Sequence, residues 1–316
     1  MTGINAVSFR AAAKENGVSS AQKQAEKKAK SIERRGSAKA YFTAGLSALP
    51  ITAGAAAAAA GKGVVSAAKS LSPEQISAIN TAADSLLKSS GLAAKGAAIK
   101  NVTSAGLFVD LLPDWLRKFH PMSAIADGRK AGFIPPDKKI LGAAIPGNYI
   151  AVNREKLPTA IFHELGHAFN FNNSVFWKNI QKMRMPGIVL AGLIAGYGAL
   201  SKNSKAEEGK KLTTAQKTNN FIRNNAGKLA FTAMLPTIAE ETMASIRFSV
   251  DKFLSPDLAK RVLKSNIFGG LSYVLTSLGL GLTAYNAVKI KNNAVNKADA
   301  VRAAAKQEAE TPAEAA

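Results

Sequence analysis

The chain has 316 residues, enough for one or two domains, and carries 42 basic against 21 acidic side chains, a net charge of +21. That balance favours anionic partners, a membrane surface or nucleic acid, but aromatics are only 7% and no basic run is interleaved with rings that would stack bases, which leaves nucleic acid the minor option. There is no cysteine, which excludes disulfides, a thiol nucleophile and thiolate metal ligands together.

Residues 1–39 hold nine Lys or Arg before any apolar stretch begins, so no cleavable secretory signal is read there. The segment reads as a basic arm, disordered or an exposed helix, suited to anionic lipid headgroups. Residues 40–131 form an Ala-rich helical region. Its first part, 40–61, is uncharged, but alanine adds little to lipid partition and Pro50 and Gly54 interrupt it. Ser72-Pro73-Glu74 starts a helix with Ser72 as N-cap; Ile76, Ile79, Ala83 and Leu86 share one face and Gly91 stops it. Residues 102–115 read as a short helix ending in a turn, and His120 as a loop histidine with a structural role. Gly132 to Pro136 is a connection that opens a core spanning 132–262. Two apolar runs around Pro146-Gly147, the second with Tyr149, Ile150 and Val152, predict a β-hairpin.

His163-Glu164-Leu165-Gly166-His167 holds two of the three histidines. On a helix, positions i and i+4 lie on one face, so both imidazoles reach a single Zn²⁺ while Glu164 stands beside it. A zinc ion lowers the pKa of a bound water to about 7, and Glu164 is the base placed to take its proton. Asn170 and Asn173 stand where a metzincin would need Gly and His, so that family is excluded. The third ligand is then an acid on a later helix, and Glu240 and Glu241, after an apolar run, supply two candidates.

The run 187–200 is apolar but only 14 residues long; with 229–239 it brackets a basic loop as a hydrophobic hairpin, re-entrant or spanning. Within 263–290, residues 267–288 carry no charge over 22 positions and predict a transmembrane helix. Residues 291–316 read as a polar tail, frayed or disordered.

Glu-x-x-Ala-Ser from Glu241 resembles the Glu-x-x-Ala-Asp signature of gluzincin peptidases, with Ser245 in place of the usual Asp. Together with the histidine motif, and over about residues 140–250, the chain resembles the membrane-associated gluzincins of peptidase family M48. The resemblance implies a mainly α-helical fold with a small β element at the site, a zincin-like core, and the hydrophobic hairpin 187–239 inserted between the metal motifs. It implies a membrane-associated zinc endopeptidase acting on polypeptides, with His163, His167 and Glu241 as ligands and Glu164 as general base. Substrate would lie extended along residues 148–152, and Arg247 is a candidate for the oxyanion. The competing readings are a non-catalytic membrane interaction protein and a basic nucleic-acid-binding protein.

Overall fold

The Ser72 hydroxyl accepts the backbone N–H of Gln75 at 3.3 Å, while the Gln75 side chain takes the Ser72 N–H at 3.0 Å. This capping box, with Pro73 in the first turn, satisfies donors that a helix leaves open at its start, and it launches a 17-residue helix that runs to Ser89. The computed structural model describes residues 4–43, 54–56, 58–59, 61–117, 120–136, 139–140, 143–144, 147–206, 210–248, 250 and 252–310. The fold is mainly helical. Its longer helices are α1 (Ile4–Thr43), α2 (Pro73–Ser89), α3 (Ile161–Asn173), α4 (Val175–Leu200), α5 (Thr214–Asn224), α6 (Ala226–Ala233), α7 (Leu235–Ile246) and α8 (Pro256–Glu310). Its strands are β1 (Ala98–Asn101), β2 (Gly132–Ile134), β3 (Lys139–Ile140), β4 (Ala143–Ala144) and β5 (Tyr149–Val152).

The chain divides into two units, one of residues 50–190 and 231–279, the other of 1–49, 191–230 and 280–316. In the first, α3 packs on a three-stranded sheet of order β1-β5-β2, and α2 packs against α3. Ile79 and Leu86 of α2, Ile150 and Val152 of β5, and Ile161, Phe162 and Leu165 of α3 form its core, joined by Val262. Strand β5 runs parallel to β1 and antiparallel to β2.

The expected hairpin is corrected here. Among the described residues, β5 pairs with β1 and β2 and not with the preceding apolar run, and the only ladder of 139–144 is the small β3–β4 pair. Pro146 itself lies outside the described residues, as does much of 40–61. Residues 132–134, expected as a connection, are strand β2.

In the second unit, α1 packs through small residues: Ala40, Ala199 and Ala287 are buried together, and a Cβ on Gly36 would collide with Ala294. Between these helices Glu33 receives Lys202 and Arg302, and Lys291 donates to the Ser37 hydroxyl. The segment read as a basic arm is therefore helical, with Ala29 and Glu33 buried. The segment read as a polar tail continues α8 to Glu310.

Among the described residues, two helices are long and apolar enough to cross a membrane, Val175–Leu200 and Pro256–Glu308. The first starts twelve residues before the apolar run seen in sequence, which removes the shortfall in length. Only 22% and 28% of their most apolar windows are buried, whereas the core helix of a soluble domain would be mostly covered.

Candidate metal centre

Helix α3 positions the histidine motif. Pro158 opens a short 3₁₀ turn, where a missing N–H costs nothing, and α3 follows from Ile161 with His163, Glu164 and His167 buried. Helix α7 lies across it. A Cβ at Gly166 would run into the backbone carbonyl of Ala244, so the two helices touch through backbone at this point. That contact brings Glu240 and Glu241 under the histidines.

Three atoms converge. His163 Nε2 is 2.9 Å from His167 Nε2 and 3.0 Å from Glu241 Oε2, and His167 Nε2 is 3.5 Å from the same carboxylate oxygen. Ligands bound at about 2.0–2.1 Å in a tetrahedron stand about 3.3 Å apart, so these separations fit one ion. The outer nitrogens are already engaged. His167 Nδ1 lies 2.7 Å from Glu240 Oε1, and His163 Nδ1 lies 3.1 Å from Ser245 Oγ. Ser245 spends its own hydrogen on a backbone carbonyl, that of Glu241 at 2.8 Å or of Asn266 at 3.2 Å, so it accepts from His163. With both Nδ1–H groups so used, two Nε2 lone pairs face each other, an arrangement that needs a proton or a cation between them. Two overlapping sets here could hold a metal ion: His163, Glu164 and His167, and His167, Glu240 and Glu241.

The electrostatics agree with that need. Burial works against a charged His167, yet the neighbouring charges of Glu241 and Glu240 outweigh it and push its pKa up to about 10. Burial alone would raise Glu241, but the His167 charge, its close contacts with both imidazoles and the nearby Arg184 hold it far below the usual carboxylate range. Two buried acids thus draw in both His167 and Arg184.

Arg184, on α4, was missed in sequence. Its Nη1 donates to Glu240 Oε2 at 3.0 Å, its Nη2 donates to Glu241 Oε1, and its guanidinium stands 5.6 Å from the Tyr273 ring centre. A lone arginine between Met183 and Met185, ahead of an apolar run, was the available signal. Arg247, the expected oxyanion candidate, is corrected. Its Nε and Nη2 donate to Asn170 Oδ1 at 2.9 and 2.6 Å, and it stacks on Phe169. His120 caps the short helix Pro121–Ala126, its Nδ1 accepting the Met122 N–H at 3.2 Å.

Glu164 Oε2 accepts the backbone N–H of Phe133 at 2.8 Å. Since Asn148 N–H donates to Ile134 O at 2.6 Å, Ile134 faces β5 and the alternate residues Phe133 and Ala131 face the open side of β2. The site therefore borders β2. Residues 148–152 cannot receive an added strand, because both edges of β5 are taken. A cavity of about 410 Å³ opens beside His163 and Glu164, walled by Val64, Ala131, Leu157 and Ala160, with Asn266 and Tyr273.

No family model, curated protein or solved structure matches this chain. The chemistry rests on the geometry alone.

Proposed function

We propose that this chain is a membrane-associated zinc endopeptidase of the gluzincin type. His163 and His167 through Nε2, and Glu241 through Oε2, would hold the ion. The observation that carries the reading is the convergence of those three atoms, with each outer imidazole nitrogen held by Glu240 or Ser245. Two imidazoles and one carboxylate suit zinc and leave a fourth position for water or substrate. When bound, zinc would polarise the scissile carbonyl and acidify water at that position.

The protein's own groups supply the rest. Glu164 is the proton carrier: its carboxylate takes the proton of the attacking water and returns it to the leaving amine nitrogen. Its Oε2 is steadied by Phe133 N–H, which fixes the carboxylate beside the cavity. Glu240 keeps His167 in the tautomer whose Nε2 points inward, and Arg184 holds both acids in place. A substrate backbone pairs with the open side of β2 through the Phe133 carbonyl and the backbone of Ala131, and one of its side chains enters the adjoining apolar cavity. The exposed apolar residues Met185, Ile188 and Val189 on α4, and Ile267 and Leu271 on α8, support contact with lipid.

The test is zinc content and proteolysis of detergent-solubilised protein, wild type beside His163→Ala and Glu164→Gln. One zinc per chain is expected in the wild type and in Glu164→Gln, with none in His163→Ala. Cleavage of an unfolded polypeptide should fall at least ~10³-fold in Glu164→Gln. Full zinc with equal cleavage in wild type and Glu164→Gln would sink the peptidase reading and favour a membrane interaction protein.

A further inference from the structure

Arg223, on α5, is among the largest fully buried side chains, at 1% exposure, yet it meets no carboxylate among the described residues. Its Nε donates to Asn203 Oδ1 at 3.1 Å, its Nη1 to Ser201 Oγ at 3.2 Å and its Nη2 to Asn292 Oδ1 at 2.7 Å. All three acceptors are neutral. A buried charge without a counter-charge is costly, and burial pushes the guanidinium below its ordinary value. A guanidinium has five N–H donors, so three bonds leave two to offer.

Beside it lies a cavity of about 290 Å³ whose lining, among the described residues, contains no Asp or Glu. Arg223 forms one wall, Asn224, Asn292 and Asn293 bring amides, and Lys289 brings an exposed ammonium. Asn292 has committed its oxygen to Arg223, which leaves its NH₂ as the group it can present. Gly227 and Tyr285 close the apolar side, where a Cβ on Gly227 would press on the Tyr285 side chain at 2.9 Å. Lys289 follows directly on the uncharged run 267–288, a position where basic residues meet anionic headgroups.

We propose that this cavity is a binding site for a phosphate group, either free phosphate or the headgroup phosphate of an anionic lipid. Guanidinium, ammonium and amide donors match the oxygens of such a group, and the Arg223 fork can hold two of them at once. The site shares no residue with the histidine cluster and does not depend on the peptidase reading.

The test follows thermal unfolding of the full chain in an uncharged detergent. One arm adds inorganic phosphate against chloride at equal ionic strength. The other adds phosphatidylglycerol against diacylglycerol in mixed micelles. A rise of about 5 °C in the unfolding midpoint is expected from a phosphate-bearing additive at saturation. A rise with lipid alone assigns the headgroup, and a rise with the free ion assigns the phosphate itself. Lys289→Gln combined with Asn293→Ala, both exposed positions, should raise the half-saturating concentration about tenfold, and Arg223→Gln should abolish the response. No rise in the wild type overturns the site, as does an unchanged response in the Lys289/Asn293 double variant. Should Arg223→Gln fail to fold, that double variant decides.

Discussion

Arg184 and Arg223 are both arginines withdrawn from water, and their surroundings are opposite. Arg184 sits on two carboxylates, Glu240 and Glu241, in a cluster where acids outnumber permanent cations. Arg223 sits on three neutral oxygens and, among the described residues, meets no carboxylate. The first surplus is negative and asks for a cation; the second is positive and asks for an anion. Buried charge thus indicates a ligand by what remains after local pairing, not by the presence of the charge itself.

The largest expected effect separates the two acids beside Arg184. Glu241→Gln should weaken zinc binding by ~10³-fold or more in a chelator competition. Glu240→Gln removes only a hydrogen-bond partner of His167 and should cost 10- to 100-fold, in line with about what outer partners contribute elsewhere. Equal losses would mean that both acids ligate. Next, Arg184→Met leaves two carboxylates without their cation and should destabilise the metal-free protein by about 3–5 kcal/mol in denaturant unfolding, and by less once zinc is bound. Arg223→Met strands neutral oxygens instead, for about 1–3 kcal/mol. If Arg223→Met proves the costlier of the two, the contrast between the sites fails.

Gly166→Val tests the helix contact that assembles the cation site. It should cost about 1–3 kcal/mol and release zinc, because α3 and α7 must separate. The smallest effect concerns Glu33. Burial would raise its carboxyl, but Lys202 and Arg302 outweigh that and hold it below 4.5. Its contribution, about 1 kcal/mol, is therefore complete above pH 4.5 and lost as pH falls through the lower folded value. Glu33→Gln should flatten that part of the acid-unfolding curve.

The histidine motif was legible because spacing on a helix fixes its geometry before any tertiary contact forms. Ser72 and Pro73 were legible for the same reason: caps act within four residues. Strand β1 was not. Ala98-Ile99-Lys100-Asn101 has little β-favouring content, and is held by backbone pairing, with Ala98 N–H donating to Asn148 O and Val102 N–H to Val152 O. Asn148, at φ 65°, also takes the turn into β5 through a left-handed conformation that sequence spacing does not announce. Arg184 escaped because its partners lie 56 and 57 positions away, and Arg247 misled because helix number alone does not say which side a long side chain takes.

The contact at Gly166 has a use beyond this molecule. Because backbone meets backbone there, the distance between the histidine helix and the acid helix is set without any adjustable side chain. A search for distant relatives can therefore demand His-Glu-x-Gly-His followed, on a later helix, by two acids with a small residue three positions after the second. Chains that keep the histidines but place a bulky residue at the glycine should be rejected as users of this geometry, however well the rest of the pattern aligns.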